Sequence, residues 1–440
     1  MIVQLRPIYV TFFTAFCFVD KVLDELARHL PEEHERRALI RVAGLPIPPN
    51  PFDVNTEPWR LAFIDKYKSL CASEPIASAS GSEHVYAYEA ILAPQLVILD
   101  FFIYQAMGAI RAISGTSVPI YAWEIKGELL ELPGIPPMYD YEFGAQILAD
   151  DINLALHSQY CHRMFSECDG IIHSSNRAYE GPALDVLQEW FGSRPTFATG
   201  PLCTPADAAS LAREKAQSPV ASEVEVFLHS ALDKFGPNSV VYFSFGTVCW
   251  CIEPEKIWTI LDVLMELGIP FVFSHASPAA IIPEEMKAKV KASGLGFLAP
   301  WLPQEEILHH AACGWFLTHC GQNSVMEAFV EGVPLICWPF DADEPVNAAN
   351  ISVTLDVGYE LMEVRNGPGK GPIHRLGGRT PEGTVDAVRR EAIEVFTKAR
   401  GEDGRVKRAN VQRLREIFAH HWEEGGAGWT ELKRLTDILH

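Results

Sequence analysis

The sequence predicts an α/β protein built from two parallel sheets, each covered by helices on both faces. Short apolar runs alternate with helix-period segments along the whole chain. The 440 residues exceed what one ordinary core accommodates. Finally, an Ala-, Pro- and Ser-rich stretch at 200–222 lacks strand-type periodicity and divides the runs into two series.

The first series is Pro7–Thr14, Leu96–Phe101, Val118–Trp123 and Gly170–Ser174; the second is Ser239–Phe245, Pro270–Ser274, Gly314–Thr318 and Pro334–Trp338. Runs this short and this continuously apolar fit strands buried on both faces. A crossover helix is marked by Pro254 at its start, Ile257, Ile260, Leu261, Leu264 and Leu267 on one face, and Gly268 past its end. The expected division is a first domain over 1–205, a linker over 206–222, a second domain over 223–400 and C-terminal helices over 401–440. In the last of these, Val411, Leu414, Ile417, Phe418, Leu432, Leu435 and Leu439 give an amphipathic pattern expected to pack back on the first domain. Residues 365–383 hold six Gly and three Pro and read as a flexible surface loop; Gly369–Lys370 lacks the spacing of a phosphate loop.

Thirty-six basic against 57 acidic residues give a net charge of -21, which repels polyanions and argues against a nucleic-acid groove or an anionic membrane surface. The early apolar stretch Tyr9–Val19 is too short to span a bilayer. Ten cysteines form no CxxC pair and no zinc spacing, which fits a reducing, cytoplasmic setting. Oligomeric state is not legible.

The chemistry concentrates in Trp301–Glu344. A strand, Gly314–Thr318, enters the turn His319-Cys320-Gly321-Gln322-Asn323-Ser324 and then a helix closed by Gly332 and Pro334. Backbone N–H groups, an imidazole, an amide and a hydroxyl thus gather at the positive end of a helix, where a diphosphate would sit. Those 44 residues contain no Lys or Arg, so an anion there is held by neutral donors. Asp341-Ala342-Asp343 has the D-x-D form of some divalent-metal sites, but no further carboxylate cage accompanies it, and no metal or cofactor is expected.

This segment resembles, without a gap, the signature box of the UDP-dependent glycosyltransferases that modify plant and fungal small molecules. The resemblance implies a GT-B fold, two facing Rossmann-like doubly wound domains, the second holding a UDP-sugar and the first a small, largely apolar acceptor. It implies Trp301 stacking on uracil, the Leu302 backbone pairing with the base, Gln304 and Glu327 taking the ribose hydroxyls, and His319, Gly321, Asn323 and Ser324 holding the phosphates. Ser239–Thr247 is similar to the family's first strand of the second domain, which adds Thr247 near a phosphate. Asp343 and Glu344 would meet the transferred sugar.

Two positions depart from the family pattern: Gln322 stands where Trp is usual, and Glu344 where Gln or His is usual. Both leave the sugar open, and the paired acids Asp343 and Glu344 disfavour UDP-glucuronate by repulsion. Asp100, at the C-terminal end of a first-domain strand, is by resemblance the catalytic aspartate, which in the family orients a histidine base. That histidine follows the family's first strand, whereas Pro7–Thr14 resembles the second and the first histidine here, His29, falls on the helix beyond it. The expectation is therefore a chain that begins after the first strand and its histidine. The function expected is inverting, metal-independent sugar transfer, with UDP-glucose the default donor; the rival is a protein that binds a UDP-sugar without turnover.

Overall fold

The computed structural model describes residues 9–30, 36–46, 57–79, 85–89, 128–146 and 164–437. Contacts group the chain into two units: Met1–Trp123 with Ile152–Ile171 and Thr430–His440, and Glu124–Asp151 with Ile172–Trp429.

In the first unit, β1 (Val10–Ala15) runs into helix α1 (Val19–His29) and pairs in parallel with β2 (Ile40–Leu45), Val10 opposite Ile40 and Ala15 opposite Leu45. Helix α2 (Glu57–Cys71) and the antiparallel pair β3 (Ile76–Ala79) and β4 (Val85–Tyr88) follow. Arg41 is buried in the middle of β2, and its guanidinium donates to Thr11 Oγ1 and, at 2.9 Å, to the Glu89 carbonyl. The strands expected at 96–101 and 118–123 lie outside the described residues.

The second unit opens with a short hairpin, β5 (Leu129–Leu130) and β6 (Met138–Tyr139), and continues through β7 (Ile171–His173), α3 (Arg177–Phe191) and β8 (Thr196–Ala198). Helices α4 (Ala208–Gln217) and α5 (Ala221–Phe235) lead into β9 (Val240–Ser244), α6 (Glu255–Glu266), β10 (Phe271–Ser274), α7 (Glu284–Ser293) and β11 (Gly296–Ala299). The chain then runs through α8 (Gln304–His309), β12 (Cys313–Thr318), α9 (Gln322–Glu331), β13 (Leu335–Cys337), α10 (Glu344–Ala349) and β14 (Gly358–Glu360). Helices α11 (Val385–Ala399), α12 (Glu402–Ala419) and α13 (Ala427–Asp437) close it.

The strands β11-β10-β9-β12-β13-β14 form one sheet in that order, every pair parallel. Side chains alternate across it with period two. Val240, Tyr242 and Phe316 enter one core with residues of α5, α8, α9 and α12, whereas Val241, Phe243, Trp315 and Leu317 enter the other with residues of α6, α7 and α11. Because both faces are covered, β9, β12 and β13 are buried throughout, which is why their sequences read as unbroken apolar runs. The expected face of α6 is the buried one: Ile257, Ile260, Leu261 and Leu264 are fully enclosed, and Gly268, at φ +64°, follows the helix.

Three expectations are revised. Residues 206–222, expected as a linker, carry helix α4 inside the second unit. The C-terminal helices divide: residues 402–419 pack on α9 of the second unit, burying Val411, Leu414 and Phe418, whereas Thr430–His440 group with the first unit. Residues 365–383 are not a free loop: Arg365 and Arg375 are buried and ion-paired to Glu360, and Arg375 also pairs with Glu142 of the 128–146 segment. One of these partners, Glu142, lies 233 residues from Arg375 and has no local signature. Side-chain exposures of 4% for Arg375, 0% for Glu142 and 1% for Glu360 mean that removing the cation leaves Glu142 buried without an ion-pair partner and Glu360 with Arg365 alone. Arg375→Ala is therefore expected to cost about 3–5 kcal/mol in chemical denaturation; a loss under about 1 kcal/mol, the range of surface pairs, contradicts this.

Candidate functional site: a nucleotide cradle at the sheet's switch point

In the strand order β11-β10-β9-β12-β13-β14 the direction of winding reverses between β9 and β12, and ligands of such sheets bind outside the carboxyl ends of the strands at that reversal. The register places Ser244 of β9 opposite Thr318 of β12, so the segments after both strands emerge side by side. They touch through His319. A Cβ on Gly246 would lie 3.0 Å from His319 Cε1, and one on Gly321 would lie 2.7 Å from His319 Nε2, so the ring fits because both neighbours are glycine. Gly246 also has φ +69°, a conformation costly for other residues. Burial lowers the His319 pKa to about 4, so the imidazole is neutral at physiological pH.

Helix α9 starts at Gly321, and its first turn carries exposed Asn323 and buried Ser324. Asp343 Oδ2 accepts the Gln322 amide N–H at 3.1 Å, tying the start of this helix to the 341–344 turn. Thr247, on the β9 side, is exposed.

On the opposite flank, α8 and α9 bring Gln304 and Glu327 together: Gln304 Nε2 donates to Glu327 Oε2 at 2.6 Å. The amide's orientation is set from below by Tyr242 of β9, whose hydroxyl donates to Gln304 Oε1 at 3.0 Å. Burial raises the Glu327 pKa, while the Gln304 bond lowers it. Trp301 is 39% exposed just before α8, whereas Leu302 is buried. The amino end of α8 is held by Glu214 of α4, whose two carboxylate oxygens accept the Glu305 and Glu306 amides at 3.1 and 2.9 Å.

Glu344 does not face outward beside Asp343. One oxygen accepts the Phe340 and Asp341 amides at 2.8 and 3.4 Å, and the other accepts from the Cys249 thiol at 3.5 Å. Burial, opposed by these bonds, pushes its pKa to about 8. The repulsion expected from two adjacent carboxylates thus falls to Asp343 alone. Asp341 Oδ1 accepts the Ala342 amide, and Asp343 Oδ2 also accepts from Asn347 Nδ2. Asp100 lies outside the described residues.

Several residues that shape this site carried no functional signal in the sequence. Tyr242 and Glu214 read as strand core and linker. Gln146 donates from its side chain to the Pro339 carbonyl and from its backbone to Phe340, both at 2.8 Å, bracing the strand end before the 341–344 turn. Asn347 was within reach, since four residues past Asp343 on a helix places it on the same face.

A helix start and a Gln–Glu pair at the switch point of a parallel sheet have the form of a nucleotide-binding α/β domain, and comparison with known proteins narrows the class. The family model described as UDP-glucoronosyl and UDP-glucosyl transferase matches residues 201–359. UDP-glycosyltransferase eriJ of Hericium erinaceus is 36% identical over 328 residues, 72% of this chain and 64% of that protein. Zeatin O-glucosyltransferase of Phaseolus lunatus is 31% identical over 264 residues, 55% of this chain and 54% of that protein. The matched region therefore spans little more than half to just under two thirds of these curated relatives. Among solved structures, a UGT transferase from Siraitia grosvenorii in complex with UDP aligns with a TM-score of 0.69 at 20% identity, covering 99% of this chain and 94% of that one. UGT71G1 of Medicago truncatula, complexed with UDP-glucose, aligns with a TM-score of 0.68 at 20% identity, covering 99% and 93%. The fold is GT-B. Residues 201–359 carry the UDP-glycosyltransferase family's domain. Among the described residues, no helix is long and apolar enough to cross a membrane.

The inward Glu344 has a pH signature. Its carboxyl holds a proton in the folded state up to about pH 8, whereas an unfolded glutamate ionises near 4.5. The folded state binds the extra proton, so this group's stabilising contribution is full below about pH 4.5 and lost as pH rises through about 8. Glu344→Gln keeps the shape without the titration, so its melting temperature should gain on the parent's between pH 5 and 8.5. A difference in melting temperature that is flat across this range contradicts the assignment.

Proposed function

We propose that this chain transfers a sugar from a UDP-sugar to a hydroxyl of a small, largely apolar acceptor, with inversion and without a metal ion, UDP-glucose being the default donor. The observation that carries this reading is the Tyr242–Gln304–Glu327 chain beside the half-exposed Trp301. It offers a flat apolar face for a base and, one step away, a carboxylate able to accept from two vicinal ribose hydroxyls. Leu302 supplies backbone groups to the base edge. The diphosphate is assigned to the helix start at Gly321, to Asn323, Ser324 and Thr247, and to the neutral His319 ring. The sugar is assigned to Asp343, with Glu344 shaping the turn from within. Zeatin O-glucosyltransferase, one of the relatives, is named for a small O-linked acceptor, which favours a hydroxyl nucleophile here.

In the reaction, the acceptor oxygen bonds to the anomeric carbon as the bond from that carbon to the β-phosphate oxygen breaks. UDP leaves on the far side, and the hydroxyl proton passes to a base. Asp100 is the carboxylate assigned to acceptor activation. Metal independence is favoured by the existing engagements of Asp341 and Asp343 with backbone and Asn347.

Trp301→Ala and Glu327→Ala should each weaken UDP binding by about 1–3 kcal/mol in calorimetry. Unchanged affinity in both removes the donor-site assignment. UDP binding should survive EDTA, whereas loss restored by Mn or Mg favours the D-x-D reading of Asp341 and Asp343. Asp100→Asn should leave UDP affinity intact and lower kcat for glucosyl transfer to a phenol, followed by mass spectrometry. A parent chain that binds UDP but transfers none of a panel of UDP-sugars is the binding protein without turnover.

A further inference from the structure

Asp343 is exposed, yet one of its oxygens is pinned from inside the second unit. Oδ2 accepts from Asn347 Nδ2 at 2.7 Å and from the Gln322 amide at 3.1 Å. Asn347 is 5% exposed, and its amide is fully used: Nδ2 also donates to the Cys320 carbonyl at 2.9 Å, and Oδ1 accepts from the Tyr179 hydroxyl at 2.7 Å. Tyr179, 3% exposed on α3, is fixed in turn by Asn350 Nδ2, which donates to its carbonyl at 3.0 Å. We propose that Tyr179 and Asn347 are positioning residues for the sugar-recognising carboxylate of Asp343, acting through this buried relay, which also fixes the Cys320 turn.

The chemistry gives the relay a direction. An amide presents one acceptor and two donors. Because the Tyr179 hydroxyl occupies the acceptor, both Asn347 donors point at Asp343 and Cys320. A carboxylate has about four acceptor sites, and the relay uses two of them, leaving the others for hydroxyls. Cys320 has φ +72°, unusual for a residue with a side chain, and Asn347 holds its carbonyl while Thr318 Oγ1 accepts its N–H at 3.2 Å. One asparagine therefore links the turn assigned to the phosphates with the turn assigned to the sugar. Local backbone geometry delivers Tyr179: Pro182 lacks an N–H for the Ala178 carbonyl, and the helix breaks at Glu180, with φ −143° and ψ 39°.

This inference rests on the assignment of Asp343 to the sugar, and its test separates the two. Tyr179→Phe removes one hydroxyl and keeps the ring; Asn347→Asp keeps the acceptor for Tyr179 but sets a carboxylate against Asp343. The affinities of the full chain for UDP and for UDP-glucose are measured by calorimetry, with circular dichroism melts to show that each variant folds. The expected result is that the UDP-glucose-to-UDP affinity ratio falls about fivefold in Tyr179→Phe and further in Asn347→Asp. UDP affinity should stay within about twofold in Tyr179→Phe, because Asn347 keeps its bond to the Cys320 carbonyl and Trp301, Gln304 and Glu327 lie outside the relay. A merely structural role would lower both affinities together and leave the ratio unchanged, which overturns the inference. A parent chain that binds no UDP overturns the donor-site reading itself, and this inference with it.

Discussion

The site depends on one alignment, the parallel pairing of β9 with β12 that sets Ser244 opposite Thr318. These strands are neighbours only because the sheet reverses its winding there, so the segments that leave them are not drawn apart by crossovers on one side. The consequence is a narrow channel in which His319 lies between Gly246 and Gly321. A side chain at either glycine would displace the ring, and a shift in register would carry Gly246 away from it. The remaining donors are placed relative to this junction: the start of α9 directly, Glu327 through α9, and Gln304 through Tyr242 of β9 itself.

On the proposed reading, the cradle sets neutral donors against a polyanion. His319 is uncharged at neutral pH because burial disfavours the imidazolium, and the box that contains it holds no lysine or arginine. Attraction then comes from backbone N–H groups at a helix start, which are already oriented and need no side-chain ordering. A diphosphate held by such donors alone would be bound less tightly than by buried cations, which suits the proposed donor, whose UDP leaves at each cycle. The acids nearby are drawn inward, with Glu344 and Glu214 each accepting two backbone amides. They act as caps and turn clamps, and their raised pKa values reduce the negative charge presented to the ligand.

Support for the site comes from segments far away in the chain. Glu214 reaches α8 from the segment before β9, Tyr179 reaches Asn347 across 168 residues, and Glu142 locks to Arg375 across 233. None of these pairs has a local signature. Each is a polar group that would be costly to bury alone and is satisfied by a partner that only folding brings near.

The sequence by itself determined the layers and the order of the strands that carry the site. Continuous apolar runs at 239–245, 270–274, 314–318 and 334–338, each short and bounded by turn or helix signals, read as strands covered on both sides, and the Gly-closed helix after Thr318 fixes the turn between them. The edge strands β11 and β14, Gly296–Ala299 and Gly358–Glu360, were not legible, because each starts on a glycine that reads as a turn and, as an edge, is only partly buried and carries no long apolar run. Tertiary structure alone decided where the carboxylates point. In sequence Asp343 and Glu344 are equivalent neighbours; in the fold one is exposed and braced by Asn347, and the other is enclosed against Phe340, Asp341 and Cys249. Apolar periodicity reports which face of an element is buried, a property of neighbouring residues. The partner of a buried charge is a property of distant ones, and no local pattern encodes it.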